Sequence, residues 1–496
     1  MAGRARIKGA VVTEIKFIDQ SIRDGQQSLW GMRMRAGHSV PVAAQIDRMG
    51  YHVVDFTGSS LFEVLVRYCR ENPWEMVDLV RGAMPTARLR AGARANAIVG
   101  MGLTPRSILE LWVRTLAKHG IGSFWIFDCL FNLDEMKWMS GIARDAGMHA
   151  APQVMFAESP VHTDEFYANI VREMSTWGTE SIILGDEAGV LTVDRAKSWV
   201  PKMVEAANGT ALEAHFHNTT GISTLNYITA VNAGVHIIHT AMGPMANGPS
   251  MPSVTITADN MRRLGYDVNI DETDVPAVSE HFRRIAEAEG YTIGVPREYN
   301  LAHTHAQLPG GMTGTLLAQL AQYGMSDRYD ELMQEIGIVR EEMGYPIMAT
   351  PYSQLVGIQA LLNLVNEERY TVFPDENLMY LAGHMGPIPG TVNQEVLDRA
   401  FSSKRGKEFL TWERPDPSLK EIRHQFGDTI SDEELLLRFL IPGPDVDAMY
   451  AAGPVSSDLA YPDSPEATLV RELMQDTAAR YLNYQRGDLD VTLSRR

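Results

Sequence analysis

The chain has 496 residues, 45% of them hydrophobic, enough for one large core plus a second, smaller domain. Its 44 basic and 62 acidic side chains leave a net charge of −18, and no basic patch dominates any region, which argues against nucleic-acid binding. The two cysteines, Cys69 and Cys129, stand far apart in apolar surroundings, which speaks against a secreted disulfide framework and for a reducing cytoplasm.

The basic N-terminal stretch MAGRARIKGAVVTEIKF lacks the apolar core and cleavage site of a signal peptide. No apolar run reaches transmembrane length, so no direct membrane insertion is expected. From about Glu14, short β-branched or aromatic runs alternate with helical patterns. The predicted strands are EIKFID (14–19), YHVVDFT (51–57), LRAGARANA (89–97), GSFWIFD (122–128), HAAPQVMF (149–156), ESIILGD (180–186), ALEAHFH (211–217) and VHIIHTA (235–241). Between them lie helical patterns such as SVPVAAQIDRMG, ILELWVRTLAKHG and STLNYITAVNAG, each ending in a glycine stop. Eight such repeats predict a (β/α)8 TIM barrel over 14–296. A mainly helical domain is expected over 297–440, from LLAQLAQYG, YDELMQEIGIVREEMG and YSQLVGIQALLNLV. The extension 441–496 begins rich in Pro, Gly, Asp and Ser and then reads as one helix, SPEATLVRELMQDTAARYLNY.

Chemistry in such a barrel sits at the carboxyl ends of the strands. Arg23, Asp24 and Gln27 follow the first strand, Arg94 lies on the third, Asp128 ends the fourth, Asp186 ends the sixth, and His215 and His217 end the seventh. Positions i and i+2 of a strand share a face, so the two imidazoles share one cavity if that face is the barrel interior. With Asp24 they form an N2O donor set for a divalent metal; by spacing alone, a merely polar lining is an equal reading. Arg94 needs an anionic partner, either a neighbouring Asp or a substrate carboxylate. Cys129 reads as a buried inert thiol, and the HTH stretch at 303–305 as a surface loop.

IRDGQQSLWGMRM (22–34), YCRENPWE (68–75), SPVHTDEFY (159–167), HFHNTTG (215–221), QLPGGM (307–312) and TPYSQLVGIQALLN (350–363) resemble, in that order, the motifs of the biotin-dependent carboxyltransferase family. That family includes the carboxyltransferase domain of pyruvate carboxylase, the oxaloacetate decarboxylase alpha subunit and the transcarboxylase 5S subunit. The resemblance runs from about residue 14 to about 445. It implies a TIM barrel with a helical funnel domain, usually dimeric. It implies Asp24, His215 and His217 as ligands of zinc, manganese or cobalt. Arg94 and Gln27 would hold a 2-oxo acid, and Arg23 would stabilise its enolate. Biotin would arrive on a separate carrier protein, with biotin carboxylase as another chain, because no M-K-M attachment motif or ATP-binding region is found.

Two positions depart from the family pattern. Its metal-bound Lys, usually carboxylated, corresponds to Gly185, with Glu187 as a replacement to be considered. Its proton-shuttling Thr or Ser corresponds to Gly314, flanked by Thr313 and Thr315. The GD pair (185–186) also resembles the lyases and aldolases related to HMG-CoA lyase, which add an Asn ligand; Asn247 lies in the corresponding loop. Three readings follow: a carboxyltransferase or decarboxylase subunit, a biotin-independent metal-dependent lyase, and a catalytically reduced scaffold. The first is preferred. Trp125, Met101 and His239 differ from the family's usual residues, which leaves the acceptor open.

Overall fold

A computed structural model describes residues 13–100, 102–301, 303, 307, 320, 324–366, 368–459, 481–486 and 489–494. All eight predicted strands form: β1 (Glu14–Asp19), β2 (Val53–Asp55), β3 (Leu89–Arg94), β4 (Ser123–Phe127), β5 (His149–Met155), β6 (Ser181–Asp186), β7 (Ala211–Phe216) and β8 (Ile237–Thr240). Each pairs in parallel with the next, and β1 also pairs with β8, so the sheet closes into a barrel. A short strand, β9 (Asp267–Val268), adds to the start of β1. The closing register sets Ile18 opposite Val53 and His239, while Gly185 lies opposite His215.

The alternating helices follow from amphipathic patterns with ordinary caps. Thr163 and Thr192 each accept a backbone N–H at the start of the helices Asp164–Met174 and Val193–Ala206. Gly234, at φ 115°, ends the helix Ser223–Ala233 in the left-handed conformation that favours glycine. Part of the bore is apolar, with one cluster of Ile18, Val53 and Ile237 and another of Trp125, Ala151 and Ile183.

The C-terminal region is helical, as expected. Two of its helices, Tyr329–Glu342 and Tyr352–Val365, match two predicted ones. The third, LLAQLAQYG, lies outside the described residues except Leu320 and Gly324. Part of this region docks on the barrel: Asn96, just after β3, donates to the Met385 carbonyl at 3.2 Å, and Trp74, in the outer helix Pro73–Ala83, donates to the Glu433 carbonyl at 3.2 Å. The Pro- and Gly-rich stretch after 441 contains a helix, Gly443–Ala452, whose proline stands in the first turn, where a missing N–H costs nothing.

The chain divides into two compact units, Met1–Ser457 and Asp458–Arg496. In the second, β10 (Tyr481–Arg486) and β11 (Leu489–Ser494) form an antiparallel hairpin. This corrects the end of the predicted C-terminal helix: the Y-L-N-Y run pairs as a strand, and Asn483 donates to Thr492 at 2.9 Å across the pair. The rest of that prediction lies outside the described residues. Among the described residues, no helix is long and apolar enough to cross a membrane.

Candidate active site

Asp24 sits in a wide π-type turn, Ser21–Gly25, that follows β1. The Gly25 N–H reaches back to the Gln20 carbonyl at 2.8 Å, an i to i+5 closure of a kind frequent at functional sites. His215 and His217, at the end of β7, face the same interior. His215 Nε2 lies 3.4 Å and His217 Nε2 3.6 Å from Asp24 Oδ2, and the two Nε2 atoms are 3.3 Å apart. Donors bound about 2.0–2.2 Å from one ion at tetrahedral angles stand roughly 3.3–3.6 Å apart, so this triangle fits a divalent cation. Its three residues are all buried. His217 Nδ1–H donates to the Pro249 carbonyl at 2.6 Å, which leaves its Nε2 facing Asp24.

The charges are set by the same closeness. Burial pushes the Asp24 carboxyl up, but Arg23 and the two histidines outweigh it and hold the group well below the usual carboxylate range. Burial disfavours a charged His217, yet Asp24 outweighs that and raises its pKa. His215 is driven by burial to about 3, its contact with Asp24 offsetting only part.

A cavity of about 480 Å³ opens above the triangle, lined by Arg23, Gln27, Trp125, Met155 and Glu187 as well as the three donors. Arg23 contacts Asp24 at 3.1 Å and Asp55 at 3.4 Å, with its guanidinium 4.6 Å over the Trp125 ring. Ala349, Thr350 and Gln354, from the helical region, form part of the wall. Arg94 is not among the lining residues and donates to the Gly102 carbonyl at 2.8 Å. Thr313, Thr315, Gly314 and Met101 lie outside the described residues.

The other polar strand ends have structural partners. Asp186 accepts from the Val190 and Leu191 amides, both at 2.9 Å, and Asp128 accepts from Leu130 N at 2.8 Å. Asn247 accepts from Asn218 at 3.2 Å. Cys129 is buried, 3.6 Å from the Met155 sulfur, and burial pushes its thiol pKa up, as an inert thiol requires. His303 is half-buried, and His305 lies outside the described residues.

Gly185 leaves room that two neighbours take. A Cβ there would stand 2.2 Å from Glu187 Oε1 and 2.4 Å from Gln153 Nε2. Gln153 donates to that Glu187 oxygen, while Glu187 Oε2 is buried without a hydrogen-bond partner among the described residues. Burial pushes the Glu187 carboxyl up to about 8.

Beneath the triangle lies a polar layer that spacing along single strands did not reveal. Arg90 of β3 reaches across the bore to Glu213 of β7 with two hydrogen bonds, 2.6 and 2.8 Å. Glu213 also accepts from Ser181 at 2.6 Å and contacts His239 of β8 at 2.8 Å. His239 Nδ1 in turn lies 2.9 Å from His215 Nδ1. Glu213 was within reach of sequence reasoning, since E-x-H-x-H places it on the face of both histidines.

Fold and site together define a (β/α)8 protein with a candidate metal centre at the carboxyl mouth of the barrel. A family model described as a conserved carboxylase domain matches residues 304–463, and an HMGL-like model matches residues 132–281. A pyruvate carboxylase subunit of Methanocaldococcus jannaschii is 29% identical over 435 residues, covering 86% of this chain and 76% of that protein. The methylmalonyl-CoA carboxyltransferase 5S subunit of Propionibacterium freudenreichii subsp. shermanii is 29% identical over 445 residues, 86% of each chain. The 2-oxoglutarate carboxylase large subunit of Hydrogenobacter thermophilus is 28% identical, covering 88% and 68%. In fold, the chain matches the carboxyl transferase domain of Rhizobium etli pyruvate carboxylase, solved with pyruvate and biocytin. The TM-score is 0.80 at 24% identity, over 91% of this chain and 81% of that one. Over most of its length the chain is thus similar to carboxylase and carboxyltransferase subunits of the biotin-dependent carboxyltransferase family.

Proposed function

We propose that this protein is the carboxyltransferase component of a biotin-dependent carboxylase or decarboxylase built from several chains. It moves a carboxyl group between carboxybiotin, on a separate carrier chain, and an enolisable carbonyl acceptor of the 2-oxo acid class. The relatives named above favour this reading over the lyase. The observation that carries it within the site is the Asp24–His215–His217 triangle with Arg23 fixed beside it at the cavity floor.

A divalent zinc, manganese or cobalt ion held by Asp24, His215 and His217 would supply Lewis acidity toward the acceptor's carbonyl. The protein's own part is preorganised charge. Arg23, held between Asp24, Asp55 and Trp125, offers a fixed guanidinium to the oxyanion that develops as the acceptor enolises. Gln27, exposed on the cavity wall, orients the carbonyl. Arg94 takes the acceptor carboxylate once it releases the Gly102 carbonyl, and Thr313 or Thr315 carries the proton. Residues 14–296 serve as the catalytic barrel, 297–440 as the funnel domain and 441–496 as an extension, in a cytoplasmic homodimer or higher oligomer.

The test is transfer of the carboxyl group from a carboxylated biotin carrier to pyruvate and other 2-oxo acids, with streptavidin detection of a small biotinylated chain that co-purifies. Transfer to one acceptor, lost in His217→Ala, is expected. Turnover of a 2-oxo or 3-hydroxy acid by the isolated chain without biotin would instead establish the lyase.

A further inference from the structure

His215 is held from behind by a chain of groups that crosses the whole barrel. Arg90 binds both oxygens of Glu213, Glu213 contacts His239, and His239 contacts His215; all four side chains are at most 3% exposed. The direction of each hydrogen bond follows from the partners. A carboxylate facing Arg90 accepts, so His239 Nε2–H donates to Glu213. A neutral His239 then has only a lone pair at Nδ1. Gln20 Nε2, which also donates to Asp55 at 3.0 Å, reaches that Nδ1 at 2.8 Å. Two ring nitrogens 2.9 Å apart need one hydrogen between them, so His215 Nδ1 carries it and shares the His239 lone pair with Gln20, which leaves the lone pair of His215 on Nε2, toward Asp24 and His217.

We infer that His239 is a positioning residue that fixes the tautomer and ring orientation of His215, and that through Glu213 it ties the strength of the metal centre to Arg90. The inference rests on the metal reading of the Asp24–His215–His217 triangle. An oriented second partner of this kind raises ligand basicity and typically holds about 10- to 100-fold of metal affinity. A side chain that presents an acceptor where Nδ1 stands keeps the effect. The amide oxygen of Asn does so, whereas Gln places its amide at the position of Nε2 and Leu offers no acceptor.

The experiment measures Co²⁺ binding to the full-length chain by competition with a chelating dye, together with the visible absorption of the bound Co²⁺. Apo-protein melting checks the fold. His239→Leu and His239→Gln are expected to bind Co²⁺ about 10- to 100-fold more weakly with a shifted spectrum, and His239→Asn within about threefold of the original protein. Wild-type affinity and spectrum in His239→Leu would overturn the inference, as would His239→Asn binding no better than His239→Gln. The Asn and Gln pair decides the matter if the Leu variant does not fold. Loss of binding in Asp24→Asn keeps the metal reading intact whatever the His239 variants do; no binding by the original protein overturns both.

Discussion

Replacing Arg90 by Met tests the polar layer of the barrel most directly. Arg90 is 2% exposed; it makes two bonds to Glu213, at 2.6 and 2.8 Å, and one to Ser123 at 2.9 Å. Methionine fills much of the same volume but leaves Glu213, 1% exposed, with a buried charge and, among the described residues, only Ser181 and His239 as side-chain hydrogen-bond partners. Removing one partner of such a pair costs about 3–5 kcal/mol. At ~2 °C per kcal/mol, as suits a large domain, the melting temperature falls by roughly 6–10 °C. Scanning calorimetry of the metal-free protein reads this directly, and urea unfolding gives an independent value. The double variant Arg90→Met/Glu213→Leu removes the stranded charge and should recover at least half of the loss, because a buried ion pair replaced by apolar side chains is close to neutral. A single-variant shift under about 2 °C, or a double variant no better than the single, would refute the reasoning.

The remaining predictions concern the site. Excess Co²⁺ at about 100 times its dissociation constant should stabilise the protein by about 2.7 kcal/mol, and Asp24→Asn should show no such gain in a thermal melt. Glu187, raised by burial from 4.5 to about 8 in the folded chain, contributes stability that is present below 4.5 and lost as pH rises through about 8. Metal-free Glu187→Gln should therefore match the original protein near about pH 4.5 and melt higher than it at about pH 9; equal curves would reject the assignment. A Cβ at Gly92 would lie 2.0 Å from the Trp125 ring that carries Arg23. Gly92→Ala should accordingly alter the near-ultraviolet circular dichroism and lower turnover about 100-fold, and unchanged turnover would show that the Arg23 seat tolerates displacement.

Much of this molecule is legible along single strands. Short β-branched or aromatic runs located all eight barrel strands, and the ladder pairing trimmed only their ends, as in β2, where Val53–Asp55 pairs out of the predicted 51–57. His215 and His217 were legible because two residues two apart on one strand share a face. What escaped depends on closure. Arg90 and Glu213 are separated by 123 positions and meet only because β3 and β7 face each other across the bore. His239 reaches His215 only through the pairing of β7 with β8. No pattern within one element encodes such meetings. The hairpin Tyr481–Ser494 escaped for another reason: Y-L-N-Y suits a strand as readily as a helix, and pairing with Leu489–Ser494 decided it.

The wall made by Ala349, Thr350 and Gln354 divides the labour of the site between two stretches of chain that are far apart in sequence. The barrel holds the reactive groups, and the helix that begins at Tyr352, with the turn before it, shapes the space above them. A lineage can therefore exchange one acceptor for another by altering this roof while leaving every charged group on the floor untouched.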